Sequence, residues 1–331
     1  MNNIKVTVLM FVYNQEKYLR RALFSVLNQE TDFDYEVIVH DDASTDDSAV
    51  IINEFARAYP EKIISLRQKK NQMQQGISIV DKYLMPIVRG EYIAFCEGDD
   101  YWISKKKLQI QADFLDTHPE YAGTCHNCMV VNEKNERQPL VKKFHPYAVN
   151  YRYTLGDLIL EARMPGQTAA VMYRHRIQTD MSHETRRAYQ KIRYVVGDRR
   201  RTLLILLNGP IYCMNRTMSA YRYVTTGGSS WNARIITKNL AGVFFVQEMD
   251  FRRFAMNRFG INLNNDYLLF GTGLMALVRR LREDSAENRR QWEYVKNETG
   301  SIKGYLEFMI KTMPGAVRIL IKRTFHKWEM H

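Results

Sequence analysis

With 331 residues, of which 45% are hydrophobic and 25% charged, the chain has an ordinary globular composition that excludes collagen-like and disordered classes and is long enough for about two domains. Its 48 Lys and Arg residues against 36 Asp and Glu give a formal net charge of +12, which favours an anionic partner: a nucleotide phosphate, a nucleic acid or an anionic membrane surface. Four cysteines are too few for a disulfide framework, and no run of about 20 apolar residues predicts a transmembrane helix, so we expect a cytoplasmic protein, soluble or peripheral at the inner face of the cell membrane.

The first third of the sequence alternates between strand-like and helix-like segments. Short runs rich in β-branched residues predict strands over 4–12, 35–40, 63–66 and 91–96. Apolar residues at helical spacing predict helices after Asn14, after Ser44, over 73–88 and over 105–117, with Asn14, Ser44 and Ser104 as caps. This alternation is typical of an α/β fold, in which a mostly parallel sheet is covered by helices on both faces.

The alternation loosens after residue 120. We expect extended segments over 121–131, 168–173 and 211–223, helices over 155–161 and 202–208, and helical structure with basic ends from 232 onward. The final stretch, 317–328, mixes Lys and Arg with Ile, Phe and Trp, which fits a solvated helix face, a membrane surface or a nucleic-acid patch. We favour the membrane, because such a mixture suits an anionic leaflet.

Acidic residues follow two of the predicted strands. Asp41 and Asp42 come directly after the second strand, and Asp99 and Asp100 come just after the fourth. Parallel strands bring their carboxyl ends to one edge of the sheet, which is the usual ligand site of open α/β sheets. Clustered carboxylates repel one another unless a cation lies between them, and a divalent metal with a nucleotide diphosphate is the common solution. The sequence therefore predicts a metal-dependent nucleotide site at this edge.

Four motifs, in order, resemble those of bacterial, inverting family 2 glycosyltransferases of the GT-A type. They are 8–14 (VLMFVYN), 40–46 (HDDASTD), 90–102 (GEYIAFCEGDDYW), and a last group formed by 197–198 (GD), 218–222 (MSAYR) and 227–231 (GGSSW). The resemblance covers about residues 4 to 232. It implies a GT-A catalytic domain over 1–231, with a nucleotide-binding half, 1–120, and an acceptor half, 121–231, followed by a helical, basic C-terminal region over 232–331.

The resemblance also implies roles for individual residues. Tyr13 and Asp42 would hold the base and ribose of the donor nucleotide. Asp99, the last carboxylate of the Glu-Gly-Asp triplet, would bind a divalent metal, Mn²⁺ or Mg²⁺, that neutralises the leaving diphosphate. Asp198 matches the base that removes the proton of the acceptor hydroxyl. The other expected site residues are Phe11, Asn14 and Lys70 for the nucleotide, and Glu97, Asp100, Trp102, Arg222 and Trp231 as donor or acceptor support.

The sequence departs from the family pattern beside the expected base. Asp198 is followed by Arg199, Arg200 and Arg201, where the family usually has an aromatic or aliphatic residue. Three cations favour the ionised carboxylate and weaken it as a base, unless they serve an anionic acceptor or the donor phosphates. The Gln-x-x-Arg-Trp signature of processive synthases is absent from the sequence, which predicts the addition of one sugar per encounter.

The resulting hypothesis is an inverting glycosyltransferase of bacterial surface polysaccharide biosynthesis. Its expected donor is a nucleotide-sugar, with UDP-sugars favoured, and its expected acceptor is a glycan or a polyprenyl-linked saccharide; nucleic acid is not an expected partner. One alternative is a metal-dependent nucleotidyltransferase. Such an enzyme would require a Gly-rich or Lys-bearing phosphate loop, which the sequence does not contain. The other is a basic nucleic-acid-binding protein without catalysis, which predicts salt-sensitive binding to DNA or RNA.

Overall fold

The computed structural model describes residues 4–75, 77–139, 146–161, 164–191, 197–224 and 240–313, which form two compact units. The first unit contains the described residues within 4–157, 164–183 and 197–224. The second contains those within 158–161, 184–191 and 240–313. The expected boundary at 231 lies outside the described residues. The second unit also takes in two short segments that the sequence assigned to the first domain.

The first unit begins with the predicted strand and helix alternation. Its elements are β1 (Val6–Val12), α1 (Glu16–Leu27), β2 (Tyr35–Asp41), α2 (Ser48–Ala58), β3 (Ile63–Arg67), β4 (Tyr92–Glu97), β5 (Tyr101–Trp102) and α3 (Lys107–Thr117). β1 is central, with β2 and β4 pairing in parallel on either side and β3 parallel to β2. All seven residues of β2 are buried, as expected for a parallel strand covered on both faces. The predicted parallel α/β arrangement is confirmed here.

The later elements extend the same sheet but change its direction. The elements that follow along the chain are β6 (Gly123–Val131), β7 (Arg137–Gln138), β8 (Tyr151–Tyr153), α4 (Leu155–Glu161), β9 (Met172–Arg174), α5 (Arg176–Thr179), α6 (His183–Lys191), α7 (Gly197–Leu207) and β10 (Ile211–Arg222). Most of α4 and nearly all of α6 belong to the second unit. The strand order is β3-β2-β1-β4-β9-β6-β10-β5, with β7 on β6 and β8 on β10. β9 runs antiparallel between β4 and β6, while β6 and β10 are parallel. The sheet is therefore mixed in its second half.

The helix α1 shows how the sequence builds the core of the first unit. Leu19, Ala22, Leu23 and Val26 recur at helical spacing and are fully buried. They belong to the same apolar cluster as inward residues of β1, β2 and β4. One face of the helix therefore seals the sheet, and the opposite face carries its charged residues toward solvent.

Several local predictions are wrong. The helix expected over 73–88 is instead a 3₁₀ turn at Met73–Gln75, a π turn at Val80–Leu84 and a 3₁₀ turn at Met85–Ile87. Leu84 and Met85 keep right-handed helical backbone, but Pro86 has no backbone N–H to donate to the preceding turn, and the chain continues there as a 3₁₀ turn with Pro86 in its first positions. The strand expected over 168–173 begins as a 3₁₀ turn at Thr168–Ala170 and becomes extended only in β9.

The predicted helix caps are also displaced. Gln15, Asp47 and Lys106 precede the first turns of α1, α2 and α3, rather than Asn14, Ser44 and Ser104. Ser44 lies too early to cap α2, and its hydroxyl accepts a hydrogen bond from the backbone N–H of Asn14 at 3.0 Å instead. Asn14 and Ser44 therefore join neighbouring loops, whereas the hydroxyl of Ser104 accepts a hydrogen bond from the backbone N–H of Lys106 at 3.3 Å, just before α3.

The second unit is helical, as expected. After α6 its elements are α8 (Ala241–Phe259), α9 (Asp266–Arg282), α10 (Ala286–Thr299) and α11 (Ile302–Thr312). Phe245, Trp292 and Tyr305 from three of these helices meet edge to face in its core. Gly260 ends α8 with a left-handed φ of 68°, a conformation that favours glycine. Across the described ranges of the chain, no helix combines the length and the apolar character needed to cross a membrane.

Candidate active site

The carboxyl ends of β2 and β4 meet at the end of β1. The backbone N–H of Asp42 donates to the carbonyl of Val12 at 2.9 Å, and that of Gly98 donates to the carbonyl of Phe11 at 3.0 Å. The loops that carry Asp42 and Asp99 therefore leave the sheet at one edge, on the two sides of β1. The backbone thus brings the two acidic segments to the same edge of the sheet, as the sequence predicts.

Two turns at this edge hold backbone conformations that are unfavourable for ordinary residues. Asn14 has a φ of 52° and Ala43 a φ of 65°, both left-handed. The Asn14 carboxamide oxygen accepts a hydrogen bond from the backbone N–H of Thr45 at 2.7 Å, and Ser44 accepts one from the backbone of Asn14. The loops after β1 and β2 are thus fixed to each other, which over-determines the strained backbone.

Asp42 organises the loop after β3. Its carboxylate is buried and accepts hydrogen bonds from the backbone N–H groups of Gln72 at 2.7 Å and Met73 at 3.1 Å. The hydroxyl of Tyr83 donates to the side-chain oxygen of Gln72 at 2.8 Å, which holds that residue from the far side. Lys70, in the same loop, has an exposed side chain. The loop after β3, which carries Lys70, is therefore held by Asp42, the residue expected to bind the nucleotide.

Asp100 and Asp99 form a pair of acids with different surroundings. Asp100 is 2% exposed, and its two carboxylate oxygens accept from the backbone N–H of Arg222 at 2.8 Å and from the amide of Gln167 at 2.6 Å. Burial, together with the negative charges of Asp99 and Glu97, raises its pKa well above the usual range. Asp99 is half-buried, and loss of hydration raises its pKa as well. The pair is electrostatically receptive to a cation.

Arg222, at the end of β10, fixes this acidic segment. Its side chain is buried and donates to the carbonyl of Asp99 at 2.9 Å, to the carbonyl of Asn132 at 2.7 Å and to the side-chain oxygen of Asn135 at 2.6 Å. Its guanidinium also lies over the ring of Tyr18 at 4.2 Å. Burial lowers the pKa of this guanidinium. Arg222 therefore supports the acids by holding their backbone.

The expected divalent metal can be tested against the donor set. Within the described parts of the chain, no group of three or more His, Cys, Asp or Glu side chains is placed to enclose a metal ion. Mg²⁺ in nucleotide sites needs only one or two carboxylates, because substrate phosphates and waters complete its coordination. Asp100 has both oxygens engaged, whereas the Asp99 carboxylate is held, among the described residues, by Gln15, its own backbone N–H and the charge of Arg222. Asp99 fits a cation that arrives with its substrate.

Asp198 lies in the first turn of α7 and is half-buried. One carboxylate oxygen accepts a hydrogen bond from the backbone N–H of Arg199 at 2.7 Å. Three residues further on, the buried guanidinium of Arg201 lies over the ring of Phe95 at 3.9 Å, and Phe95 is two residues before the end of β4. The start of α7 therefore lies beside the half of β4 that leads to the acidic loop.

The other predicted site residues occupy different settings. The ring of Phe11 stacks on that of Phe95, with centroids 6.3 Å apart, and Tyr13 is half-buried in the turn after β1. Glu97 is the half-buried last residue of β4. Trp102 is buried in the core, where its indole N–H donates to the carbonyl of Ala169 at 3.2 Å. Trp231, like the basic segment 317–328, lies outside the described residues.

Gln167 belongs to the candidate site, although its place in the sequence does not indicate this. It precedes the turn at Thr168–Ala170, accepts from the backbone of Ala169 at 2.7 Å and donates to Asp100. It is 67 residues from its acidic partner, and no motif or periodicity marks it. The direct roles of all these residues toward a ligand stay predictions.

Comparison with known proteins identifies the family. Residues 7–180 match the model for Glycosyl transferase family 2. An uncharacterized protein of Mycobacterium tuberculosis is 34% identical over 220 residues, which cover 66% of this chain and 58% of that protein. The poly(ribitol-phosphate) beta-glucosyltransferase of Bacillus spizizenii is 35% identical over 107 residues, or 32% of this chain and 16% of that enzyme. The chain thus spans less than two thirds of the length of these relatives.

A solved structure shares the fold. The crystal structure of S. aureus TarS 1-349 in complex with UDP-GlcNAc has a TM-score of 0.59 and 18% identity, covering 88% of this chain and 81% of that one. The expected GT-A fold is thereby confirmed. The family match spans more than half of the 331 residues and includes the loops of Asp42 and Asp99, although it ends before Asp198. The chain belongs to glycosyl transferase family 2.

Proposed function

We propose that this protein transfers a sugar, with inversion, from a nucleoside-diphosphate donor to an acceptor hydroxyl in the synthesis of a bacterial surface polysaccharide. The observation that carries the proposal is the convergence of the Asp42 and Asp99 loops at the end of β1, in a member of family 2. A UDP-sugar is the favoured donor, and the similar TarS structure holds UDP-GlcNAc. The acceptor is a glycan or a polyprenyl-linked saccharide.

The reaction needs one base and one site for the leaving group. The acceptor oxygen attacks the anomeric carbon of the donor, its proton passes to the carboxylate of Asp198, and the bond from that carbon to the diphosphate oxygen breaks with its electron pair on the diphosphate. A single in-line displacement inverts the anomeric centre. Tyr13 and Asp42 bind the base and ribose, and Arg222 keeps the acidic loop in place through its backbone contacts.

Asp99 is the residue that would hold Mn²⁺ or Mg²⁺ in this reaction. When bound, such a cation neutralises the negative charge that develops on the leaving diphosphate. Asp99 suits this role because its charged form is desolvated and gains from a cation, while Asp100 is committed to Gln167 and Arg222. Asp100 acts by shaping the loop, and Glu97 ends the strand that delivers it.

Binding of the correct sugar donor is expected to raise the melting temperature of the protein. A ligand at 100 times its dissociation constant stabilises the folded state by about 2.7 kcal/mol. UDP-sugars with Mn²⁺ should raise the melting temperature, whereas GDP-, CMP- and dTDP-sugars should raise it less, and EDTA should remove most of the shift. A panel measured by thermal shift tests this directly. A shift with none of the four nucleotides would contradict the proposed function.

We also propose that the second unit contacts a membrane surface. Ile302, Leu306 and Ile310 form a stripe on one side of α11 and are 56%, 49% and 64% exposed. Lys303, Glu307 and Lys311 flank the stripe, for a net charge of +1. The sequence that follows, 314–331, holds four Lys and Arg against one Glu, along with further Ile, Phe and Trp residues. Apolar residues beside cations favour an anionic leaflet.

This contact predicts an effect of two polar substitutions. The double variant Leu306→Ser/Ile310→Ser is expected to lower the partition coefficient onto anionic vesicles by about 100-fold or more, because burial of each of the two side chains is worth about 1.5–3 kcal/mol and about 1.4 kcal/mol is a factor of ten. Val50→Ser is the matched control, since Val50 is 62% exposed on α2 of the first unit. Equal flotation of the double variant and the wild type would show that α11 does not contact lipid.

A further inference from the structure

A cavity of about 280 Å³ opens in the first unit beside the acidic loop. Its lining comes from α1, from the turn between β6 and β7, and from the end of β10, and consists of Lys17, Tyr18, Arg21, Glu133, Asn135 and Arg222. Arg222 forms one wall, and its backbone and side chain bind Asp100 and Asp99. The cavity therefore shares Arg222 with the acidic loop.

The cavity is lined by more positive than negative charge. Lys17 and Arg21 are four residues apart on one face of α1 and are exposed, and neither forms an ion pair with a carboxylate in the described part of the chain. The hydrogen-bond acceptors of the Arg222 guanidinium are backbone carbonyls and one amide oxygen, all neutral. Glu133 contributes the single carboxylate among the lining residues. Three cations thus face one acid.

Aromatic contacts fix the two arginines. The guanidinium of Arg21 lies over the ring of Tyr101 at 3.8 Å, and that of Arg222 lies over the ring of Tyr18 at 4.2 Å. A stacked guanidinium loses less conformational freedom when it binds a ligand. Arg20, the neighbouring cation on α1, contrasts with these because Glu54 neutralises it through two hydrogen bonds. The two arginines are therefore pre-oriented. Lys17 and Arg21 have no ion-pair partner among the residues that the structure describes, whereas Arg222 also interacts electrostatically with Asp99 and Asp100.

We infer that this cavity binds a phosphate group carried by the acceptor. The inference rests on the proposed function, since it names the class of acceptor that the enzyme would use. Lys and the planar fork of Arg are the side chains best suited to phosphate oxygens. The volume lies just below the range of about 300–1,000 Å³ typical of pockets for larger ligands, which leaves room for a phosphate and one attached sugar or alditol unit. Glu133 and Asn135 offer partners for the hydroxyls of that unit.

Two kinds of acceptor carry such a phosphate. One is a saccharide on a polyprenyl diphosphate, and the other is a chain of alditol units joined by phosphodiesters. Both would place a phosphate beside a sugar or alditol hydroxyl, next to the acidic loop. The shared chemistry is a phosphate ester close to the hydroxyl that reacts.

A binding experiment with a simple probe tests the inference. The protein is saturated with UDP and Mg²⁺ so that its donor site is filled, and sn-glycerol 3-phosphate is titrated in by calorimetry, with glycerol as the neutral comparison. We expect saturable binding of the phosphate ester and none of glycerol. The variant Lys17→Gln/Arg21→Gln should bind the probe at least about tenfold more weakly, because hydrogen bonds to charged groups are the strong ones. Arg57→Gln, an exposed position on α2, should match the wild type.

The outcomes separate this inference from the proposed function. Unchanged probe affinity in the double variant, or equal binding of glycerol, would overturn the cavity assignment. A parallel loss of UDP affinity in the double variant would place these cations at the donor diphosphate and would also overturn it. Absence of UDP binding by the wild type would instead contradict the proposed function. Displacement of the probe by vesicles containing a polyprenyl diphosphate, or by soluble poly(glycerol phosphate), would support the inference and identify the source of the phosphate.

Discussion

Replacing Asp99 by asparagine is expected to lower sugar transfer by about 100-fold or more, the size of effect seen when one group that stabilises developing charge is removed. The amide keeps the shape of the side chain but loses the negative charge that would hold a divalent cation. Since loss of hydration raises the pKa of Asp99, its charged form is disfavoured in the fold. The variant should therefore melt at the same temperature as the wild type or higher. Initial rates of transfer and thermal melts measure the two effects.

The Asp99→Asn result needs a chelation series and a matched control. EDTA should remove the wild-type activity, and added Mn²⁺ or Mg²⁺ should restore it, whereas neither treatment should change the residual rate of the variant. Asp113→Asn, at an exposed position on α3 where the carboxylate accepts a hydrogen bond from the side-chain amide of Gln109, should transfer sugar at the wild-type rate. Wild-type transfer that persists in EDTA, or an active Asp99→Asn protein, would contradict the assigned role.

The first half of the fold follows from local sequence signals. β1 and β4 are almost entirely apolar, and β2 has an apolar centre, Val37–Val39, because strands buried on both faces have no solvent-facing side that alternates with a buried one. β9 is different, since it has three residues and owes its place to pairing with β4 and β6. A strand of that length carries little signal of its own. Its antiparallel position between β4 and β6 depends on tertiary contacts, which no local sequence pattern predicts.

The candidate site divides in the same way. Asp42 and Asp99 were predictable, because each follows a strand whose end can be read from the sequence, and parallel strands bring these ends together. The hydrogen bonds that hold Asp100 were not predictable, because their donors, Gln167 and Arg222, lie 67 and 122 residues away in the sequence. The family resemblance named Arg222 but not its manner of action, which is to hold backbone carbonyls. Contacts of this kind arise from packing and leave no spacing in the chain.

Asp198→Asn is expected to lower the rate of sugar transfer by about 10²- to 10⁴-fold and to leave nucleotide binding unchanged. Asparagine cannot accept the proton of the acceptor hydroxyl, yet its side-chain oxygen can still accept the hydrogen bond from the backbone of Arg199. The lost negative charge in the first turn of α7 costs about 0.3–1 kcal/mol of stability through the helix dipole, too little to unfold the protein. UDP affinity by calorimetry and transfer rates are measured on the same preparation.

Asp198→Glu separates the chemical role of this residue from its place in the helix. Glutamate keeps the negative charge in the first turn of α7, and with it the favourable interaction with the helix dipole, but moves the carboxylate by one methylene. A base must lie within hydrogen-bond reach of the proton that it removes, so this variant should also lose most of its transfer activity at wild-type stability. If Asp198 served only the helix, Asp198→Glu would transfer sugar at the wild-type rate. That result, or near-normal transfer by Asp198→Asn, would show that the base lies elsewhere and that Arg199, Arg200 and Arg201 follow a structural acid.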